Sequence, residues 1–253
     1  MRTCKIFHIV LLAALAGCCA GAPVICLGAD VYSNFTALKA ANTEGLDYSR
    51  EVYDRGGKAA IFAVHGADIE LHTSRVARLV AGKDFNLYIF NGWHGSKSRS
   101  LHVTSAHFND PDALRLAASS VLGVSIHAQL ERGSWVCVGG KNTAAAKLVA
   151  RRLEAAGFLT QTPCVRFPGV SKSNIVNRPS LGGVQLELTP RLLSRLERKE
   201  EELVKFSGAL RAAILEYLGS ADANTKQAPG EAPQPAAKAE SEALPRGNRS
   251  VPE

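Results

Sequence analysis

The sequence predicts a single α/β domain, in which helices cover a mostly parallel or mixed central sheet. Between residues 46 and 220, apolar strand-like segments alternate with segments whose apolar residues recur at helical spacing. Several of the strand-like segments are apolar on both faces, which is typical of strands buried between two layers. The chain of 253 residues contains no internal repeat and suits one sizeable domain with appendages at its ends.

Six segments have the composition and length of strands, at 58–64, 85–90, 100–105, 122–127, 134–140 and 182–188. Four helices are predicted between and after them, at 69–81, 110–119, 142–158 and 189–219. Asp110 and Thr189 each precede a proline, an arrangement typical of a helix N-cap followed by the first helical residue. We expect the last segment to form one long amphipathic helix that ends near Gly219.

Residues 1–17 have the pattern of a signal peptide for export. A basic start, MRTCK, precedes the apolar stretch IFHIVLLAALAG, which is short for a transmembrane helix. The stretch leads into LAGC, which resembles the bacterial lipobox, so we expect Cys18 to become the lipidated first residue of the mature chain. Cleavage further on, near Ala29, is the alternative. Residues 18–45 would then form a tether that leads into the domain at 46–220.

Residues 221–253 are predicted to form a disordered tail, because they are rich in alanine, proline, glycine and charge and have almost no large apolar side chains. Within the domain, Cys137 and Cys164 could form a disulfide in an oxidising compartment, which the sequence leaves open. The net charge of +7 comes from scattered basic residues. This pattern disfavours a nucleic-acid partner and suits an acidic substrate.

Side chains suited to metal binding or proton transfer occur near the ends of three predicted strands. His65 follows the first strand, His127 ends the fourth, and Glu187 lies near the end of the sixth, while Glu70 follows His65 after a short loop. In α/β folds, ligands bind at the carboxyl ends of strands. Two histidines and one carboxylate are a common ligand set for catalytic zinc. His65, Glu70 and His127 are therefore candidate ligands, and Glu187 is a candidate general base.

A structural interpretation of the same residues stays open at this point. A histidine at a strand end is commonly a hydrogen-bonded structural residue, and Glu187 could lie at a solvated edge or pair with an arginine. The chain has no H-E-x-x-H motif and no C-x-x-C pair, so no compact metal signature decides between the two interpretations.

Five blocks of the sequence, taken in order, resemble the bacteriophage poly-γ-glutamate hydrolase family of zinc enzymes, which are related in fold to zinc carboxypeptidases. The blocks are IFAVHGADIE, SLHVTSAHFNDP, VSIHA, VGGKN and SNIVNRPSLGGVQLELTPRLL. The resemblance implies a zinc-carboxypeptidase-like domain with one zinc ion, held by His65, Glu70 and His127, and Glu187 as the catalytic base. It also implies cleavage of amide bonds made through the γ-carboxylate of glutamate.

Further residues within these blocks are candidates for supporting roles. Asn177 and Arg178 could bind a substrate carboxylate, since a guanidinium matches a carboxylate well, or they could form a structural loop contact. We interpret His102 as a packed residue that supports a metal-binding histidine. Asp68 departs from the glycine-rich loop expected of the family and adds a negative charge beside the predicted metal site.

We therefore predict an exported zinc hydrolase of γ-glutamyl amide bonds, lipid-anchored in the bacterial cell envelope, or otherwise secreted or periplasmic. Its partners would be poly-γ-glutamate or a related γ-linked peptide, and the membrane through the lipid anchor only. The alternative is a non-catalytic envelope lipoprotein that binds glutamyl polymers or cell-wall peptides.

Overall fold

The computed structural model describes residues 30–227, with side chains described up to residue 223. The strands are β1 Tyr48–Tyr53, β2 Ala59–Ala67, β3 Asn86–Gly92, β4 Leu122–Ala128, β5 Trp135–Gly139, β6 Leu159–Gln161 and β7 Gly183–Leu188. The α-helices are α1 Phe35–Ala41, α2 Thr73–Ala81, α3 Pro111–Ala118, α4 Thr143–Ala155, α5 Pro190–Arg198 and α6 Glu200–Gln227. Two 3₁₀ helices lie at Gly95–Leu101 and Ile175–Asn177. The predicted signal peptide, the lipidation of Cys18 and most of the predicted tail lie outside the described residues.

The seven strands form one mixed sheet in the order β1-β3-β2-β4-β7-β5-β6. Its four central strands, β3, β2, β4 and β7, are parallel to one another. β1 joins β3 in antiparallel orientation and β5 joins β7 in the same way, while β6 runs parallel to β5. The prediction of an α/β domain with a mixed sheet is confirmed. The carboxyl ends of β2, β4 and β7 consequently lie side by side.

Apolar cores cover the two faces of this sheet. The larger core packs β2 to β5 and β7 against α2, α4, α5 and α6, and the smaller core packs β1 to β3 against α1 and α3. Side chains alternate between the faces along a strand, so in β4 Val124 and Ile126 enter the larger core while Ser125 and His127 point to the other face. The end of β4 and β7 on that second face is therefore polar although it is buried.

The strand predicted at 100–105 is wrong. A 3₁₀ helix ends at Leu101, and the chain continues as a loop in which Leu101 and Val103 pack into the smaller core. The apolar residues of this segment are thus buried although they belong to a loop and not to a strand of the sheet. Two strands were missed, because β1 is largely half-buried at one edge and β6 has only three residues at the other.

The long helix predicted after Thr189 is two helices. Lys199, with φ −124° and ψ 97°, separates α5 from α6, and three acidic residues then occupy the first turn of α6, where the helix dipole favours negative charge.

Helix α6 continues to Gln227, so residues 221–227 are helical and the predicted tail boundary at 221 is too early. The tether boundary also shifts, because Phe35 in α1 is buried in the smaller core. Among the described residues, none of the helices is sufficiently long and apolar to cross a membrane.

A disulfide between Cys137 and Cys164 ties the segment after β6 to the middle of β5, with their Cα atoms 5.0 Å apart. The amide of Cys164 donates to the carbonyl of Val138 at 3.1 Å, and the amide of Gly140 donates to the carbonyl of Pro168 at 2.8 Å. Because β5 pairs with β7, this fixed segment forms a wall beside the polar end of β7.

Candidate metal and catalytic site

The residues predicted at the strand ends converge at one edge of the sheet. His65 lies in β2, His127 in β4 and Glu187 in β7, and His127 and Glu187 are direct partners in the parallel register of β4 and β7. Glu70 returns to the same place from the loop after β2. All four side chains are buried or nearly so.

A β-bulge in β2 aims His65 into this group. Ala63 pairs with Ile89 and Gly66 pairs with Asn91, so two residues of β2, Val64 and His65, stand opposite a single residue of β3. Bulges of this kind redirect side chains and are common beside active sites. Gly66 lets β2 pack closely against Ser74 at the start of α2, since a Cβ at position 66 would lie 2.0 Å from the hydroxyl oxygen of Ser74.

Nitrogen and oxygen atoms of three side chains face one another at the carboxyl edge. The Nδ1 atom of His65 lies 3.0 Å from Oε1 of Glu70 and 3.1 Å from Nδ1 of His127. The second carboxylate oxygen of Glu70 lies 3.3 Å from Nδ1 of His127 and accepts a hydrogen bond from the amide of Ala128 at 3.0 Å. One candidate ligand atom from each of the three residues lies within 4.8 Å of the others.

A backbone carbonyl determines which nitrogen of His65 is available to a metal. The Nε2 atom of His65 lies 2.8 Å from the carbonyl oxygen of Val103, which can only accept a hydrogen bond, so Nε2 carries a proton. In the neutral imidazole, Nδ1 then has its lone pair directed towards Glu70 and His127. At these distances the facing atoms need either a proton on one of the two Nδ1 atoms or a metal ion between them. The arrangement is that of a metal-binding histidine oriented by its other nitrogen.

The charges within the group have a direct effect on its pKa values. Burial would raise the pKa of Glu70, but the two neighbouring histidines outweigh it and hold that pKa well below its usual range. Burial would lower the pKa of His65, but the charge and hydrogen bond of Glu70, together with the bond to Val103, raise it. Glu70 is therefore ionised, and it attracts a cation to the space that it shares with the two imidazoles.

The donor set fits zinc. Within residues 30–227, His65, Glu70 and His127 form the one group of three such side chains close enough to hold a metal ion. Two imidazole nitrogens and a carboxylate oxygen match the ligand set of many catalytic zinc sites, which keep a further position open for water or substrate. This fit agrees with the ligand prediction made from the sequence.

His102 packs against the group from the loop that follows the first 3₁₀ helix. Its ring stacks on that of His65 with centroids 4.0 Å apart, and its Nδ1 donates to Oδ1 of Asp30 at 2.6 Å. Asp30 also accepts from the amide of Thr104 at 2.6 Å. Burial, followed by the neighbouring His65, lowers the pKa of His102 to about 3, so the ring is neutral at physiological pH. The interpretation of His102 as a support for a metal-binding histidine agrees with this packing.

Glu187 is the remaining carboxylate of the site and is 7% exposed. Burial and the nearby charge of Glu70 raise its pKa well above the usual value, although a hydrogen bond from Gln185 opposes them. The Nε2 atom of Gln185 donates to Oε1 of Glu187 at 2.9 Å. A carboxyl group with a raised pKa beside a candidate metal site holds a proton more readily than an ordinary glutamate, which suits a group that takes up and releases a proton in general acid–base catalysis.

Comparison with known proteins identifies the family. The family model described as poly-γ-glutamate hydrolase matches residues 32–203, more than half of the chain. The chain belongs to the poly-γ-glutamate hydrolase family. Among solved structures, a bacteriophage poly-γ-glutamate hydrolase superposes with a TM-score of 0.72 and 30% identity, over 76% of this chain and 100% of that one.

Relatives from Bacillus subtilis (strain 168) are also similar to this poly-γ-glutamate hydrolase family member. The UPF0714 protein YndL is 34% identical over 163 residues, which are 63% of this chain and 64% of YndL. The SPβ prophage-derived UPF0714 protein YoqZ is 35% identical over 166 residues, 64% of this chain and 60% of YoqZ. The match thus spans less than two thirds of either relative. A structure of YndL in an apo, zinc-free form superposes with a TM-score of 0.68 and 28% identity, over 74% of this chain and 98% of that one.

Two residues of this family member that were predicted to bind substrate have different surroundings. The side-chain amide of Asn177 donates to the carbonyls of Gly169 and Ser171, at 2.6 and 2.8 Å, and its oxygen accepts from the amide of Lys141. Asn177 is buried and holds two loops together, as in the structural alternative, and its role in substrate binding stays a prediction. Arg178 is exposed, and its role in binding stays a prediction.

Asp68 has a structural function at the rim of the site. Its carboxylate accepts a hydrogen bond from the amide of Gly95 at 3.0 Å, and its own amide donates to the carbonyl of Gly92 at 3.1 Å. Asp68 thereby fixes the start of the first 3₁₀ helix to the end of β3. The negative charge predicted near the metal is used to hold this loop.

Two contributors were not singled out by the sequence pattern. Asp30 falls within the predicted tether, and Gln185 is not among the predicted site residues. The available signal for Gln185 was its spacing from Glu187, since residues two apart in a strand share a face.

Proposed function

We propose that this protein is a zinc-dependent hydrolase that cleaves γ-glutamyl amide bonds, with one zinc ion per chain. The observation that carries the proposal is the arrangement of His65, Glu70 and His127, whose lone pairs converge, beside the buried carboxyl of Glu187. Membership of a hydrolase family and the zinc-free apo form named for the related YndL structure support the choice of metal and reaction.

Each polar group of the site has a defined task in this reaction. Zinc bound there would polarise the scissile carbonyl and lower the pKa of the attacking water. His65 is kept in the correct tautomer by Val103, and Glu70 is kept in position by the amide of Ala128. Glu187 takes a proton from the attacking water and returns it to the leaving nitrogen, so that the carboxylate is regenerated.

The substrate class follows from the family and from charge. The similar bacteriophage enzyme is a poly-γ-glutamate hydrolase, and a chain with a net charge of +7 attracts such a polyanion. Every γ-linked glutamyl unit carries a free α-carboxylate, for which exposed basic residues such as Arg178 are suitable partners. Poly-γ-glutamate and γ-linked cell-wall peptides share this chemistry, and both belong to the proposed substrate class.

We place the protein outside the cytoplasm, anchored to the bacterial cell envelope through a lipid on Cys18 or otherwise secreted or periplasmic. The signal-like residues 1–17 support export, and the disulfide between Cys137 and Cys164 is of a kind that persists in oxidising compartments. The membrane would be contacted through the lipid anchor, and no nucleic acid is a partner.

The alternative of a non-catalytic binding lipoprotein is not favoured. Burying Glu187 with a raised pKa destabilises a protein, and a binding module gains nothing from a carboxyl that exchanges protons. A protein that only binds glutamyl polymers has no use for this residue at the end of β7.

The test combines metal analysis with a cleavage assay. We expect the purified protein to contain about one zinc per chain and to release new amino termini from γ-glutamyl oligomers, with the activity lost in a chelator. The Glu187→Gln variant should keep its zinc and lose turnover by about 100-fold or more. Glu154→Gln makes the same chemical change on the exposed face of α4 and is the matched control. Unchanged turnover in Glu187→Gln, or binding without cleavage in the wild type, would refute the proposal.

A further inference from the structure

A chain of three hydrogen bonds leads to one oxygen of Glu187. The amide of Val176 donates to Oδ1 of Asn174 at 3.1 Å, and Nδ2 of Asn174 donates to Oε1 of Gln185 at 2.8 Å. The Nε2 atom of Gln185 then donates to Oε1 of Glu187 at 2.9 Å. Asn174, Gln185 and Glu187 are all buried, at 5, 7 and 7% exposure, so bulk water does not compete for these bonds.

The direction of every bond in this chain is fixed by its first member. A backbone N–H can only donate, so the atom of Asn174 that faces the amide of Val176 must be its side-chain oxygen. The NH₂ group of Asn174 therefore faces Gln185. Because the NH₂ group of Asn174 donates, the atom of Gln185 that faces it must be the side-chain oxygen. The NH₂ group of Gln185 then faces Glu187. The side-chain amides are thus oriented by the backbone, and Glu187 always receives a donor.

Gln185 has little freedom to leave this position. Gly169 packs so closely against it that a Cβ on Gly169 would lie 2.8 Å from Cδ and Oε1 of Gln185. The 3₁₀ helix that carries Val176 is pressed onto the sheet in the same way, since a Cβ on Gly183 would lie 2.1 Å from the carbonyl oxygen of Val176. Tight packing on both sides keeps the donor and the carboxylate in one relative orientation.

We infer that Gln185 is a positioning residue, which holds Oε1 of Glu187 and thereby makes Oε2 the oxygen that transfers the proton. The inference rests on the proposed function. Among the described residues, Oε1 has Gln185 as its hydrogen-bond partner and Oε2 has none. The bond to Oε1 restrains the carboxylate against turning away from the substrate or towards Glu70.

The proton transfer can be written for Oε2 alone. An O–H bond of the attacking water breaks as its oxygen forms a bond to the carbonyl carbon, and the proton goes to Oε2 of Glu187. When the C–N bond breaks, the proton moves from Oε2 to the leaving nitrogen and the carboxylate is restored. Gln185 keeps its hydrogen bond to Oε1 throughout, and that bond is strongest when Glu187 is ionised.

Two substitutions separate this role from simple packing. Gln185→Met keeps the length of the side chain and removes the donor to Glu187. Asn174→Asp keeps the shape of Asn174 but replaces the donor to Gln185 with an acceptor, so the orientation of the Gln185 amide loses its support from the backbone of Val176. Ser125→Ala is the matched control, because Ser125 is the register partner of Gln185 on β4 and its buried hydroxyl has no hydrogen-bond partner among the described residues.

We expect kcat on a γ-glutamyl oligomer to fall by about 10- to 100-fold in both Gln185→Met and Asn174→Asp, with KM changed by less than about twofold. Zinc content should remain that of the wild type in both variants, and Ser125→Ala should keep wild-type kinetics. A purely structural role for Gln185 predicts normal kcat in Asn174→Asp, where Gln185 retains its volume, and that result would overturn the inference. Loss of zinc in Gln185→Met would overturn it as well.

A readout that needs no turnover tests the hydrogen bond itself. The side-chain NH₂ signals of Gln185 in an ¹⁵N-correlated NMR spectrum are identified by their absence in Gln185→Met. In Glu187→Ala, the proton that faces Glu187 should shift upfield, and an unchanged signal would overturn the inference. A wild-type protein that retains this hydrogen bond but does not cleave γ-glutamyl substrates would overturn the proposed function, and the catalytic meaning of Gln185 with it.

Discussion

Removal of the disulfide between Cys137 and Cys164 is expected to destabilise the protein by about 3.5 kcal/mol. The two cysteines are 27 positions apart. Closing a loop of that length removes about 12 cal/mol/K of entropy from the unfolded chain, which is about 3.5 kcal/mol at 25 °C. The perturbation is the double substitution Cys137→Ser and Cys164→Ser, and both positions are buried.

The same change should also lower turnover. Cys137 is the antiparallel register partner of Glu187, and the segment that starts at Cys164 contacts Gln185 through Phe167 and Gly169. Without the cross-link, this wall of the site is held only by hydrogen bonds and packing. We therefore expect kcat to decrease at temperatures at which the double variant is still folded.

Urea unfolding followed by far-UV circular dichroism, in metal-free buffer, measures the effect on stability. The midpoint should fall by about 1 to 2 M without a large change in slope. A reductant should shift the midpoint of the wild type in the same direction and leave that of the double variant unchanged. A loss below about 1 kcal/mol would refute the reasoning, because it would mean that the loop is already ordered in the unfolded chain.

Three further predictions concern the site. His102→Ala should weaken zinc binding by about 10- to 100-fold, because it removes the ring stacked on His65; competition with a chelator measures this, and unchanged affinity would contradict it. Burial and the charge of Glu70 raise the pKa of Glu187 in the folded state above its unfolded value of 4.5. The contribution of Glu187 to stability is therefore fully present below pH 4.5, where the side chain is protonated, and is lost as the pH rises through the folded-state pKa. Metal-free Glu187→Gln should therefore unfold at higher urea than the wild type at pH 8 and show a smaller gain at pH 4.5, and an equal gain at both pH values would exclude this cause. Arg178→Ala should raise KM for a long γ-glutamyl polymer by about 3- to 10-fold with unchanged kcat, and kinetics on polymers and dipeptides would show whether the change is confined to the polymer.

The principal strands and the candidate ligands could be predicted because their signals are local. An apolar run that ends in a histidine marks both a buried strand and its carboxyl end, as at His65 and His127. Parallel neighbours bring such ends together, so the sequence order of strands and helices was sufficient to place them at one edge. The edge strands β1 and β6 lack this signal, because one is only half-buried and the other is very short.

The finer geometry of the site depends on contacts that the local sequence does not encode. The carbonyl that fixes the tautomer of His65 belongs to Val103, in a loop 38 positions away that had been predicted as a strand. Asp30, which holds His102, is 72 positions from its partner. Such contacts are determined by how loops pack over the sheet. Periodicity describes individual elements and gives no information on that packing.

The buried polar chain from Asn174 to Glu187 is evidence for function because it is an inefficient way to stabilise the fold. Apolar residues on the second face of β4 and β7 would fill the space without the desolvation of amides and a carboxyl. The neighbouring strands β2 and β3 have apolar side chains on that face, where α1 and α3 cover them. At Gln185 and Glu187 the sheet instead retains polar side chains, and a line of hydrogen bonds runs from Asn174 through Gln185 to one carboxylate oxygen of Glu187. Replacing the pair by apolar residues of similar volume should therefore leave the metal-free protein equally or more stable, while turnover is lost.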